Sequence, residues 1–467
     1  MSKENHHLTA KEDKIPVGRK LAYSSGAVAD SIIGCSVHNL ANPVLNMGLG
    51  VSPTLVGLAL FIPRLWDAFS DPLMGGISDN THSRWGRRRP YILCGAFIQG
   101  LAFALMWMMG RGWSEMQYFA YFLATSLLFF TGVTIFLVPW TAMGLEMTHD
   151  YHERTRLMSY RSLVATLAGF LAPWLFKLLE LDIFSDTVEA ARYVGAGLGA
   201  LLLIFGVIPA LACKDRYPAP KQERLPLLKS AGACLKHKPF LKLCGTLVAA
   251  FTSFLMVDVL GFYLIIYYIY GGDKGAGAVL HGANGTLNLA ISAISIPIIT
   301  MIATRFGKRR TLLGLLLLAV FGTVLRWFCY TPSMPYLALL PTAIMAPGFG
   351  AALWLLIPSM LPDVCDDDEC THGVRREGMF GAVSGWLMKL GVSLALLIGG
   401  LSLDFSGFDI DLAAAQLPNT FLMMRLLFVA IPTLGFGIAA YLIWAYPITE
   451  KRAYETRAIL EKKRASK

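Results

Sequence analysis

Charge is scarce in this chain of 467 residues. Asp, Glu, Lys and Arg make up 15 % of it, where an ordinary soluble domain carries about 25 %. Apolar residues reach 55 %. A surface so poor in charge argues against a soluble globular enzyme, and a chain so apolar is not intrinsically disordered. The eight cysteines, Cys35, Cys94, Cys213, Cys234, Cys244, Cys329, Cys365 and Cys370, are scattered, so free thiols and no disulfide framework are expected. The opening MSKENHHLTAKEDK has no apolar core, and no cleavable signal peptide is expected. No phosphate-cradling glycine loop is present, which argues against ATP drive within the chain. Cys365-Asp-Asp-Asp-Glu-Cys370 has neither the CxxC or His spacing of a zinc site nor the glycine of a calcium loop, and reads as a solvated loop. No catalytic triad is found, so the chain is not expected to be an enzyme, and neither a cofactor nor a resident metal is expected.

Long apolar runs fill the chain instead. A bilayer core of roughly 30 Å needs about 20 apolar residues per helix. Twelve runs qualify, near 21–47, 53–78, 90–110, 117–145, 158–180, 193–213, 240–270, 279–304, 311–330, 335–361, 378–403 and 418–446. Pro139, Pro297, Pro358 and Pro432 fall inside runs and are expected kinks. The fold class expected is an all-α polytopic membrane protein of twelve transmembrane helices. Most of the 41 Lys and Arg fall on one set of loops and tails, which places both termini in the cytoplasm. The net charge of +10 is then a topology signal, not a nucleic-acid footprint. The stretch EKRAYETRAILEKKRASK at the end of the chain reads as a basic surface helix near anionic lipid.

The chain repeats itself. Ser83-Arg84-Trp85-Gly86-Arg87-Arg88-Arg89 after the second run matches Thr304-Arg305-Phe306-Gly307-Lys308-Arg309-Arg310 after the eighth. Val138-Pro139 and Ile357-Pro358 match in the same way. Two six-helix halves account for this: an N-tail 1–20, a first bundle 21–213, a basic linker 214–239, a second bundle 240–446 and a C-tail 447–467. Repeats of this kind are a transporter architecture with a mid-membrane substrate site between the halves. Arg84 and Arg88, Arg305 and Arg309, with Arg154 and Arg375 in the charged loops after the two prolines, are candidates for gating through Arg–carboxylate pairs.

An intramembrane charge costs at least about 2.5–3.5 kcal/mol on insertion scales and so marks function. The second run carries Arg64, Asp67 and Asp71 on one helix face. Two carboxylates with an internal guanidinium make a site for a small hard cation or a proton. Lys389 stands alone in the eleventh run, and its expected partner is Asp67 or Asp71. Asp30 and Asp258 are weaker candidates for substrate hydroxyls or for local pairing. Arg326 and Arg425 are placed at the membrane interface. Tryptophans within runs, Trp140 and Trp354 among them, can stack on a sugar ring.

Three stretches resemble one family. RLWDAFSDPLMGGISDNTHSRWGRRRPYIL (Arg64 to Leu93), VPWTAMGLEMTHDYHERTRLMSYR (Val138 to Arg161) and PDVCDDDECTHGVRREGMFGAVSGWLMKLG (Pro362 to Gly391) are similar to the glycoside–pentoside–hexuronide:cation symporters. These form the melibiose-permease branch of the major facilitator superfamily. The resemblance implies two pseudo-symmetric halves and sugar uptake driven by sodium, proton or lithium. Asp67, Asp71 and Thr134 would bind the cation, with Arg64 and Lys389 as charge partners, and Trp354 would lie near the sugar. Where melibiose permease has a sugar-binding aspartate and a tryptophan on helix 4, this chain has Leu137 and Thr141, and the family's helix-1 aspartate falls on Ser31, next to Asp30. The cation site looks kept and the sugar site altered. The expectation is a monomeric multi-pass symporter of a bacterial inner membrane, with lipid as its surroundings and a sugar and a cation as its ligands. A lysolipid transporter and a non-transporting sensor are the alternatives.

Overall fold

The computed structural model describes residues 14–81, 83–148, 151–213, 234–372, 377–412 and 415–465, and every regular element among them is helical. Ten helical stretches are long and apolar enough to cross a membrane. Two more, α1 (Val17–Ala41) and α2 (Pro53–Asp79), have the length, at 25 and 27 residues. They are less apolar, α2 because Arg64, Asp67 and Asp71 sit in its middle. The chain divides into two units, residues 1–51 with 62–221 and residues 52–61 with 222–467. The first nine residues of the second run therefore group with the second unit, not with 21–213 as the sequence suggests. The expected linker 214–239 falls mostly outside the described residues.

In the first unit α1 lies on α5 (Tyr151–Gly169) and α7 (Thr187–Ala212), and α3 (Arg89–Met106) lies on α4 (Glu115–Glu146) and α7. Small residues permit the close approach that helices in lipid rely on. A Cβ on Gly199 of α7 would come within 2.6 Å of the Gly100 carbonyl oxygen of α3, and one on Gly95 within 2.4 Å of the Phe136 nitrogen of α4. Phe103, Trp107, Phe122 and Phe129 fill the space around these contacts. The fifth run is broken. α5 stops at Gly169, and a turn at 172–174 containing Pro173 precedes the short α6 (Leu175–Leu179), because proline has no N–H for the ladder. In contrast, α4 continues through Pro139.

At the start of α5 the buried Glu153 accepts from the Ile15 backbone N–H at 3.0 Å and pairs with Lys20 at 2.6 Å. Burial pushes its carboxyl up, but Lys20, the Ile15 N–H and Arg156 outweigh this and hold it below the ordinary carboxylate value. A depressed folded value means stability that is full above the unfolded value of 4.5 and is lost as pH falls through the folded one. Glu153→Gln should therefore lower the melting temperature at neutral pH. The gap from wild type should narrow as pH drops below about 4.5; a gap independent of pH would contradict this account.

In the second unit α8 (Lys238–Tyr263) packs on α13 (Glu377–Phe405) and α14 (Pro418–Trp444). Gly391 and Gly399 of α13 lie against Val248 and Val259 of α8. α9 (Lys274–Phe306) and α10 (Lys308–Cys329) pack on α11 (Leu339–Pro347), and α10 also packs on α14. α9 and α14 run on through Pro297 and Pro432. Wide π-helical turns interrupt three spans, at 42–48, 264–269 and 348–356. The first holds Pro43 and the third follows Pro347, and a missing N–H favours such a register change. The third leads into α12 (Ile357–His372), with Pro358 in its first turn. The first turn of α2 belongs to this unit: the Thr54 N–H donates to Asp404 of α13 at 2.9 Å, and a Cβ on Gly400 would meet the Pro53 carbonyl at 2.3 Å.

The acidic stretch 365–370 is not a solvated loop. It forms the last turns of α12, with Asp367 and Asp368 buried. Asp367 accepts from Arg452 at 2.8 Å and pairs with His237 at 3.3 Å. Arg452 belongs to α15 (Glu450–Ala465), so the basic terminal helix is docked on α12. Cys213 is free and fully buried.

The repeated basic loop uses the same kinds of contact in both halves, though the capping arginine is shifted by one position, Arg89 in the first and Arg309, the counterpart of Arg88, in the second. Gly86 and Gly307 take φ of 104° and 84°, a region open to glycine. Arg87 and Arg88 bind Glu146 at 2.6 and 2.7 Å, and Lys308 binds Asp363 at 2.9 Å. Arg89 donates to the carbonyls of Ala210 and Leu211 at the end of α7, and Arg309 to those of Ile443 and Trp444 at the end of α14. Each thus caps orphan carbonyls of a helix terminus and complements its dipole.

Candidate functional site

Residues four apart share a helix face, and α2 turns Asp71 toward α4 with Asp67 one turn earlier. Asp67 is 2 % exposed and Asp71 half-buried. Arg64 Nη1 stands 3.8 Å from Asp67 Oδ2, with its guanidinium 4.5 Å over the Phe130 ring. From α4, Thr134 Oγ1 donates to Asp71 Oδ1 at 2.9 Å, and Ser70 Oγ lies 3.0 Å from Thr134 Oγ1. Trp66 Nε1 donates to Thr131 Oγ1 at 3.0 Å, which fixes the same two helices a turn away. The first unit therefore gathers two carboxylates, two hydroxyls and one guanidinium. Oxygen donors of this kind suit a small hard cation. Ser70 joins Asp67, Asp71, Thr134 and Arg64 as a residue that the motifs alone do not single out.

Asp30 has a partner that sequence reasoning missed. Arg161 Nη2 lies 3.3 Å from Asp30 Oδ2, and both are partly open to solvent. Arg161 closes the Val138 to Arg161 stretch, and an acid within an apolar run demands such a cation. The Arg161 guanidinium also covers Trp140 at 4.5 Å. Tyr23 and Phe136 stack on the same indole at 5.2 and 5.9 Å, and its Nε1 donates to the Tyr23 carbonyl. Trp140 is fully buried and offers a sugar no ring face, contrary to the sequence expectation. The room for it comes from Gly26, where a Cβ would lie 2.5 Å from the indole.

In the second unit Trp354 is 56 % exposed on the π turn 348–356, edge-on to Phe251 at 5.7 Å. Lys389 is half-buried on α13, and its carbonyl accepts from Ser393. Asp258 is half-buried on α8. Arg326 is not interfacial but buried in the interior of this unit, while Arg425 bonds Tyr268 and the Trp327 carbonyl. Of the candidate gating residues, Arg88 and Arg309 are bound as described above. Arg84 and Arg305 are exposed and make no ion pair among the described residues, Arg305 lying over the Phe306 ring. Arg375 and the Arg154 side chain fall outside the described residues.

Residues 22–450 match the family of MFS/sugar transport proteins. The chain is 26 % identical to the uncharacterized symporter sll1374 of Synechocystis, over 94 % of this chain and 95 % of that one. It is 24 % identical to the sodium-dependent lysophosphatidylcholine symporter 1 of Xenopus tropicalis, over 96 % and 90 % of the two chains. It is 25 % identical to a glucuronide carrier protein homolog of Escherichia coli, over 87 % of each. Among solved structures it resembles a D-xylose-proton symporter in fold, with a TM-score of 0.62 at 16 % identity over 92 % of this chain and 96 % of that one.

Proposed function

Because the chain belongs to the family of MFS/sugar transport proteins, we propose that it is a secondary symporter coupling a small cation to sugar uptake. The observation that carries this reading is the α2–α4 cluster, where half-buried Asp71 accepts from Thr134, Ser70 lies beside Thr134, and Asp67 is buried one turn earlier on α2. Empty, the cluster has the Arg64 charge nearby to balance its acids. Filled by sodium, lithium or a proton, it has that charge met by the ion itself. A carboxylate left without either in a dry state is costly, so ion and substrate favour the same closed state, and coupling follows. Lys389 is the proposed charge partner from the second unit, and Asp30 with Arg161 and exposed Trp354 are the proposed sugar contacts. A glycoside, pentoside or hexuronide fits this set. The setting is a bacterial inner membrane with both termini cytoplasmic, and the working form is a monomer.

A lysolipid is the second reading, favoured by one feature. Thr141 spends its hydroxyl on the carbonyls of Leu137 and Val138 at 2.8 and 3.0 Å. With Leu137 apolar and Trp140 covered, this part of α4 offers little to a sugar. A melting-temperature screen of the purified protein discriminates between the two. Glycosides, pentosides, hexuronides and lysolipids are compared in sodium and in choline at equal ionic strength, at two pH values. A sugar-induced rise that grows with sodium or with acid is expected. A rise with lysolipids alone would transfer the assignment to the second reading, and a protein that no ligand and no ion shifts would not be a symporter.

A further inference from the structure

In the second unit α9 carries a polar face inside an apolar span. His281, Asn284 and Asn288 recur at helical spacing, and Ser292 and Ser295 continue the same face. The two serines are buried and bonded. Ser292 Oγ donates to the Ala346 carbonyl of α11 at 2.7 Å, and Ser295 Oγ to the Ser292 carbonyl at 2.8 Å. The other three are half-buried. Among the described residues none of the three makes a side-chain hydrogen bond or an ion pair, and Asn284 Oδ1 is itself buried with no donor to meet it.

Aromatic groups border this face at both ends. The His281 ring stands edge-on to Phe262 of α8, with centroids 5.2 Å apart. Beyond Asn288, a Cβ on Gly350 of the π turn 348–356 would lie 2.7 Å from the Ser292 Cβ, and exposed Trp354 belongs to that turn. The exposed apolar side chains Ile294, Ile298 and Met301 form a different stripe of α9, so the polar face is not the one given to lipid.

An amide in a membrane interior has no bulk water to turn to, and leaving it unmet is costly. Polar side chains that glue membrane helices together bond across the helix contact, as Ser292 does. His281, Asn284 and Asn288 do not, although each amide offers both donors and an acceptor. Their arrangement therefore serves something other than helix packing. Between Lys274 and Arg305 the helix has no Asp, Glu, Lys or Arg, so nothing on this face selects a charged group. Neutral donors and acceptors beside aromatic rings suit hydroxyls carried on an apolar frame. We propose that His281, Asn284 and Asn288 form a hydrogen-bonding subsite for the uncharged ring hydroxyls of the substrate sugar. This assignment rests on the sugar-symport reading above and adds three contacts to it.

The test replaces each asparagine by leucine, of similar size and without polar atoms, in the full-length protein. Methyl β-D-glucoside, methyl β-D-xyloside and methyl β-D-glucuronide are titrated in sodium, and affinity is read from the rise in melting temperature. Without sugar, Asn284→Leu and Asn288→Leu should melt at or above wild type, because each removes an unmet polar group. They should bind whichever of these sugars shifts wild type roughly 2–10-fold more weakly for each hydrogen bond lost. His281→Phe should act in the same direction. A lowered melting temperature without sugar would make the face structural and overturn the inference, as would leucine and alanine variants that all fail to fold. Variants that bind the sugar as wild type does would also overturn it, while the symport reading stood. A wild type that none of the three sugars shifts would remove the sugar reading and the subsite together, so the two failures are distinguishable.

Discussion

Asp67→Asn should leave the protein folded and end cation-driven accumulation of its substrate. The amide has nearly the same shape, so α2 keeps its contacts with α4, but the buried charge proposed to attract the ion is gone. Couplings between two ligands typically amount to about 1–3 kcal/mol, a factor of roughly 5–150 in affinity, and this factor should disappear. Sodium- or acid-driven uptake into vesicles then collapses to equilibration, while exchange of internal for external substrate persists. Thr134→Val should weaken ion dependence without abolishing it, because it removes one hydroxyl from Asp71 and leaves both carboxylates. Undiminished accumulation by Asp67→Asn would place the ion elsewhere.

Gly199→Leu should be strongly destabilising. The obstacle is backbone, the Gly100 carbonyl at 2.6 Å from the added Cβ, and no side-chain rotamer relieves it. Overpacking costs about 1–3 kcal/mol where side chains can adjust, so at least that much is expected here, read as a lowered melting temperature or loss of monodisperse protein. Gly197 supplies the control. It lies on the same helix two residues away with open space around its Cβ, and Gly197→Leu should melt close to wild type. Equal damage from both variants would point to helix propensity in place of packing.

The spans were legible because bilayer thickness fixes the length of an apolar run, and the repeat was legible because Gly86 and Gly307 serve the same turn. The α2 acids were legible because charge inside such a run is rare. Other features depend on partners far away in sequence. Trp140 has the composition of a sugar platform, and only the approach of Tyr23, Phe136 and Arg161 covers it. The acids at 367 and 368 have the composition of a loop, and only Arg452 and His237 account for the burial of Asp367. Arg326 near the end of its run had the position of an interfacial residue, and its burial depends on where α11 and α14 pass. The π turns leave no mark on hydropathy at all, since they alter hydrogen-bond register while keeping the run apolar.

The division of α2 has a mechanical meaning. Its first turn is tied to α13 by Asp404 and Gly400, while Asp67 and Asp71 sit farther along with α4, about 20–26 Å away at 1.5 Å per residue. Pro63 lies beside the point where the helix passes from one unit to the other. Having no N–H, it leaves the Ala59 carbonyl without its helical donor, and a helix flexes most easily where a rung of its ladder is missing. The helix is thus a stiff rod with a built-in joint, clamped at one end and carrying the two acids beyond it. If the proposed cation binds there, the force it exerts on Asp67 is delivered first to that joint.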